Sequence, residues 1–259
     1  MQDLRVSLIQ TNLVWQDAQA NMNHIRQLLE PLVGKTDLIV LPEMFNSGFS
    51  MQPELIAETV DGETVQWLRK QAERTGAAIC GSIAVRLAQG FANRMLFVTP
   101  DGTVQHYDKR HLFRMGDEHQ HYVEGKERRI VEYRGWRILL QVCYDLRFPV
   151  WSRNCNDYDL VAYVANWPGS RRGPWRTLLQ ARALENQCYC VGVNRIGEDG
   201  NGLAYTGDSL LVDYLGELKI DSAPETAFVT TATLAAEPLL AFREKFPAWR
   251  DRDHFQLEL

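Results

Sequence analysis

The chain has 259 residues, 45% of them hydrophobic and 24% charged, with a formal net charge of −5. That length can bury a sizeable core, and the balance is that of a globular protein, which excludes a disordered or fibrous chain. A net acidic chain whose one basic cluster is the short stretch Ser170 to Arg176 also argues against nucleic acid as a partner.

Leu4 to Gln10 reads as a strand. Asn21 to Leu32 reads as a helix, with apolar residues at Met22, Ile25, Leu28, Leu29 and Leu32, and Asp37 to Leu41 as a strand. Asp61 and Gly62 introduce a helix running to about Thr75, where Gly76 ends it. Ala77 to Val85, Phe91 to Thr99 and Thr103 to Gln105 follow as strands, the last two joined by the turn Pro100-Asp101-Gly102. His111 to Lys126 is polar and aperiodic, which predicts a loop.

Beyond it, Ile130 to Tyr133 and Trp136 to Val142 read as strands around an Arg134-Gly135 turn, followed by a helix from about Pro149 to Asn156 and a strand Leu160 to Val164. Trp175 to Asn186 is helical, and strands follow at Cys188 to Asn194, Ser209 to Asp213, Leu218 to Asp221 and Phe228 to Leu234. The last helix spans Pro238 to Phe246. With no internal repeat, low-complexity tract or linker, residues 1–259 are expected to form one domain with a C-terminal helix and tail from about 237. Alternating strands and helices predict an α/β layered fold with helices outside.

Met1 to Gln10 lacks a basic region followed by a long apolar stretch, so neither a signal peptide nor a membrane span is expected. Five scattered cysteines suit free thiols in a reducing compartment and place the chain in the cytoplasm. Cys80, Cys188 and Cys190 lie in apolar runs and read as buried structural thiols, and Cys155 as a helix residue without chemistry. His106, His111, His119 and His121 have neither a helical His pair nor a cysteine partner, so no metal site is read.

The chemistry concentrates where three strands end. Cys143 closes the run Trp136 to Val142 and opens Tyr144-Asp145-Leu146-Arg147-Phe148-Pro149; Glu43 follows Leu38 to Leu41; Lys109 follows Thr103 to Gln105 within Tyr107-Asp108-Lys109-Arg110-His111. A thiol, a carboxylate and an ammonium suit acyl transfer: the thiol needs a base, the leaving amine a proton, and the tetrahedral oxyanion a fixed positive charge. Glu43 supplies the first two and Lys109 the third. The Tyr144 backbone N–H is the natural second oxyanion donor. The Tyr144 ring reads equally as packing, and Asp145 with Arg147 as an internal ion pair shaping the turn.

In this order the three motifs resemble the carbon-nitrogen hydrolases of the nitrilase superfamily, and the resemblance runs from Leu4 to about Leu234. It implies a four-layer αββα sandwich, with Glu43 as general base, Lys109 as the catalytic lysine and Cys143 as nucleophile, without metal or cofactor. It also implies a second glutamate in the loop after the lysine. Glu118 fits better than Asp117 or Glu124, because its spacing to Gly125 reproduces the superfamily's pattern. Trp167, in Ala165-Asn166-Trp167-Pro168, is implied to wall the substrate pocket opposite the nucleophile. A homodimer is implied through the helix after the nucleophile, around Val150 to Asn156, with the tail Ala248 to Leu259 able to change the assembly.

Within the superfamily, the compact length, the segment Cys143 to Pro149 and Asn166-Trp167-Pro168 are most similar to bacterial omega-amidases, which deaminate the terminal amide of 2-oxoglutaramate or 2-oxosuccinamate. A small dicarboxylate monoamide needs a cation for its far carboxylate. Arg171, Arg172 and Arg176 either supply it or form a solvated basic loop. Two further readings stay open: an N-carbamoyl amino acid or aliphatic amidase of the same superfamily, and a catalytically silent carboxamide-binding sensor.

Overall fold

Residues 38–41 show how the layers are built. In the computed structural model, which describes residues 1–221 and 223–258, all four are fully buried. Leu38 and Val40 point into the core between two sheets, while Ile39 and Leu41 join Ile25, Leu29, Val65, Leu68 and Ala72 beneath an outer helical layer. A strand apolar on both faces has its place fixed from both sides.

In chain order the elements begin with β1 (Leu4–Gln10), α1 (Ala18–Leu29), β2 (Leu38–Val40), α2 (Pro53–Ile56), α3 (Glu63–Thr75), β3 (Ala78–Leu87), β4 (Gly90–Val98), β5 (Val104–Asp108), α4 (Glu118–His121), β6 (Ile130–Tyr133) and β7 (Trp136–Val142). They continue with β8 (Leu160–Ala165), α5 (Arg172–Asn186), β9 (Tyr189–Asn194), β10 (Ile196–Glu198), β11 (Ala204–Thr206), β12 (Leu210–Val212), β13 (Leu218–Asp221), β14 (Phe228–Leu234) and α6 (Ala236–Lys245).

Two six-stranded sheets result, ordered β14-β1-β2-β3-β4-β5 and β13-β12-β9-β8-β7-β6. In each, three adjacent strands are parallel: β1, β2 and β3 in the first, β7, β8 and β9 in the second. Their inner faces share one core, with Leu4, Val6, Met95 and Phe97 from one sheet and Ile138, Leu140 and Val161 from the other. Helices α1 and α3 cover the first sheet and α5 the second, which gives the αββα sandwich implied by the resemblance.

Local chemistry explains the element ends. Asp17 caps α1, its carboxylate accepting from Ala20 N at 2.9 Å, so that helix starts ahead of the expected Asn21. Helix α3 begins beyond Asp61 and Gly62 as expected, but its cap comes from Glu58, which accepts from Thr64 N at 2.7 Å.

Four expectations are corrected. No helix forms over Pro149 to Asn156. There the Asn154 carboxamide accepts from Asp157 N at 3.0 Å, Asp157 accepts from Cys155 N at 3.0 Å, and Asn156 takes φ +64°, so side chains satisfy the amides a helix would have used. Cys155 is an exposed turn residue as a consequence. The expected dimer helix is therefore missing, and this segment instead shares a surface recess with tail residues Asp251 to Phe255; the tail's last residue, Leu259, lies outside the described residues. The loop expected over His111 to Lys126 contains a short 3-10 turn and α4. The hairpin β10-β11 and the short α2 carry too little periodicity to be read from sequence. Among the described residues, no helix is long and apolar enough to cross a membrane.

Helix α5 lies close on its sheet at Gly192, where a Cβ would meet Leu179 Cδ1 at 2.4 Å and Trp175 at 2.9 Å. Gly192→Ala is accordingly expected to cost about 1–3 kcal/mol, since overpacking forces side chains off their rotamers. Urea unfolding of the variant beside the parent measures it.

Candidate active site

The ends of β2, β5 and β7 converge at the rim of the sandwich, and β2 and β7 deliver Glu43 and Cys143 at the carboxyl ends of parallel strands. Strand β5 runs on to Asp108, past the expected end at Gln105, so Lys109 follows it directly. Gly125 N donates to Lys109 O at 2.8 Å, and a Cβ on Gly125 would meet Asp108 O at 2.0 Å, so the returning loop closes onto the lysine only through a glycine.

Glu43, Lys109 and Glu118 form one buried cluster. Lys109 Nζ donates to Glu43 Oε1 at 3.0 Å and to Glu118 Oε1 and Oε2 at 3.0 and 2.9 Å, and the side chains of all three are fully buried. Phe113 N donates to Glu118 Oε2 at 2.6 Å, and α4 carries that glutamate inward. The two carboxyls that fit less well from sequence stay outside: Asp117 is exposed and Glu124 pairs with Arg110.

Two asparagines brace this cluster. Asn93 Nδ2 donates to Glu43 Oε1 at 2.8 Å and to Glu118 Oε1 at 3.2 Å. Asn166 N donates to Glu43 Oε2 at 2.7 Å while its Nδ2 donates to Glu43 O at 2.6 Å. Sequence reasoning passed over Asn93 and named Asn166 only within the segment Ala165 to Pro168, without a role for its amide. A polar amide in the middle of a β-strand was the available signal for Asn93, because such residues are depleted there.

The thiol of Cys143 is close enough to Glu43 and Lys109 for both charges to act on it. Cys143 adopts φ +46°, a conformation unfavourable for a side chain with a Cβ, and opens a 3-10 turn to Arg147. Burial and the nearby Glu43 carboxylate push the thiol well up, against an opposing effect of Lys109, so the resting sulfur keeps its proton. Burial pulls Lys109 down, but Glu118 and Glu43 outweigh it and hold the ammonium charged. Burial also raises Glu118, with Lys109 opposing.

Cys143, Tyr144 and Trp167 line one cavity of about 160 Å³ together with Phe49, Phe113 and Asn166. Its far wall is the β10-β11 hairpin through Asp199, Asn201, Leu203 and Tyr205. Two arginines reach it: Arg147 over the Trp167 ring at 5.0 Å and Arg171 over the Phe113 ring at 5.4 Å. Neither has a carboxylate partner among the described residues. Of the other loop arginines, Arg172 pairs with Asp208, and Arg176 with Asp208 and Asp221. The expected pairing of Asp145 with Arg147 is absent, because Asp145 is taken up by His111, Tyr107 and Val142. Among the described residues, no group of three or more His, Cys, Asp or Glu side chains is placed to hold a metal ion.

Residues 5–243 match the carbon-nitrogen hydrolase family model. The chain is 54% identical over 259 residues to the omega-amidase YafV of Yersinia enterocolitica, covering 99% of this chain and all of that one. It is 31% identical to the 2-oxoglutaramate amidase of Bacillus subtilis, covering 95% and 96%. A crystal structure of a carbon-nitrogen hydrolase superfamily protein from Xanthomonas campestris, with an arsenic adduct in its active site, superposes with a TM-score of 0.96 at 50% identity over the full length of both chains.

Removing the ammonium leaves two buried carboxylates facing each other. Lys109→Met is expected to destabilise the fold by about 3–5 kcal/mol at pH 8. A carboxyl raised in the folded state binds protons that the unfolded chain does not, so stability falls as pH rises through its folded value. With Glu118 raised further, the variant recovers part of the loss by pH 5. Urea midpoints at the two pH values check the sign.

Proposed function

The chain belongs to the carbon-nitrogen hydrolase family, and from that premise we propose that it releases ammonia from the terminal amide of small 2-oxo-dicarboxylate monoamides such as 2-oxoglutaramate and 2-oxosuccinamate, through a Cys143 thioester. The observation that carries the reading is Cys143 on a small cavity, beside a glutamate that shares a buried lysine with Glu118.

Glu43 takes the thiol proton as the thiolate attacks the amide carbon. The carbonyl π electrons move onto oxygen, where Lys109 Nζ and Tyr144 N–H hold the oxyanion. Collapse breaks the C–N bond, and Glu43 passes its proton to the leaving amine, releasing ammonia and leaving the thioester. Glu43 then takes a proton from water, whose oxygen adds to the thioester. Collapse of the second tetrahedral intermediate returns the proton to sulfur and frees the carboxylic acid. Glu118 keeps Lys109 charged and in place.

The cavity's size and its two arginines, free of carboxylate partners among the described residues, favour a short anionic substrate, with Arg147 and Arg171 at the far carboxylate and Trp167 as a wall. The omega-amidase and 2-oxoglutaramate amidase relatives support the same class. The reading further includes one domain across the chain, a cytoplasmic location, a homodimer, and no cofactor, nucleic acid or membrane partner.

Ammonia release from 2-oxoglutaramate, succinamate, glutamine and an N-carbamoyl amino acid tests it against Cys143→Ala. Cys143-dependent preference for the first two is expected. Turnover of the carbamoyl compound alone would move the protein to that branch, and no turnover at all would leave the silent sensor. Arg171→Met is expected to raise KM for 2-oxoglutaramate roughly 10- to 100-fold at near-parent kcat, since a charge-assisted hydrogen bond is worth about 1.5–3 kcal/mol.

A further inference from the structure

We propose that Asp145 is a positioning residue that fixes the Lys109 ammonium against the Cys143 thiol. This rests on the thiol chemistry above and gives a role to a fully buried carboxylate that makes no contact with substrate in that cycle.

Asp145 receives four hydrogen bonds, two on each oxygen. Its Oδ1 accepts from His111 N at 2.9 Å and lies 2.7 Å from His111 Nδ1; its Oδ2 accepts from Tyr107 OH at 2.8 Å and from Val142 N at 3.0 Å. Tyr107 and His111 flank Lys109 on either side, and Val142 immediately precedes Cys143. One carboxylate thus grips the lysine segment at both ends and the nucleophile turn at its start.

The grip is reinforced around it. Tyr107 OH accepts from Arg110 N at 3.1 Å and from Trp151 Nε1 at 3.0 Å, and the His111 ring stacks on Phe148 at 3.7 Å. Phe148 packs against Tyr144, which packs against Phe113, so the network reaches two cavity walls. The chemistry requires a carboxylate here: an asparagine has one acceptor oxygen and turns its NH₂ toward donors on the other side. Either Lys109's neighbours or the start of the Cys143 turn then lose their hold. Because small displacements of reacting groups cost large factors in rate, the loss falls on kcat.

The experiment compares kcat and KM of the parent, Cys143→Ala, Asp145→Asn and Tyr107→Phe on 2-oxoglutaramate, with thermal melting to measure the folded fraction. Asp145→Asn is expected to lower kcat of the folded protein about 100-fold, and Tyr107→Phe about 10-fold, with KM within about threefold of the parent in both. Parent kcat in folded Asp145→Asn would overturn the proposal. If Asp145→Asn does not fold, Tyr107→Phe decides: reduced kcat at unchanged KM supports the role, and parent kcat overturns it. A Cys143→Ala variant that keeps full turnover sinks the thiol reading itself, an outcome separate from unimpaired Asp145 and Tyr107 variants beside an inactive Cys143→Ala.

Discussion

The ammonium of Lys109, buried between Glu43 and Glu118, is the interaction on which the rest of the site depends. An isolated charge in this position would not persist, because burial favours the neutral amine. Two carboxylates reverse that, and the ammonium in turn lets two carboxylates share a dry space. Each of the three is in place because of the others, so the cluster is a structural unit before it is a catalytic one. Glu43 comes from a segment 66 positions away from Lys109, while Lys109 and Glu118 are 9 apart; the Asn93 amide bridges the two glutamates and Asn166 holds Glu43.

The nucleophile is prepared differently. Cys143 sits in a left-handed backbone conformation at the end of a strand buried on both faces, and such conformations persist only where the surroundings over-determine them. The surroundings here are the hydrogen bonds to Asp145 and the packing of β7 between its neighbours. Burial and the Glu43 carboxylate favour the neutral thiol in the resting site. A substrate carbonyl above it, with Glu43 to accept the proton, supplies what the resting site lacks. The same sandwich therefore provides a protonated resting sulfur and a polar setting for developing negative charge on oxygen.

How much of this was legible follows from periodicity. Strands buried on both faces, such as residues 38–41 and Trp136 to Val142, are continuous apolar runs, so the residues that close them, Glu43 and Cys143, were visible, whereas Lys109 follows the polar, part-exposed β5 and was singled out by its motif context. Glu118 was not visible from pattern, because α4 is a single turn in a polar stretch, and only the spacing to Gly125 singled it out. Asn93 and Asn166 act through hydrogen bonds to residues 50 and 123 positions away, which no local pattern records. Asp145 and Arg147 were paired with each other in sequence reasoning because they are close in the chain. In the fold they face opposite ways, one into the lysine network and one into the cavity. The helix expected after Pro149 failed because Asn154 and Asp157 satisfy its backbone amides locally.

The central claim is that Cys143 carries the acyl group between release of ammonia and hydrolysis. The most direct measurement is mass spectrometry of the enzyme acid-quenched during turnover of 2-oxoglutaramate. The account predicts a 2-oxoglutaryl adduct on the peptide containing Cys143, discharged by hydroxylamine. An adduct on any other residue would contradict it, as would ammonia release that persists when Cys143 is blocked by alkylation.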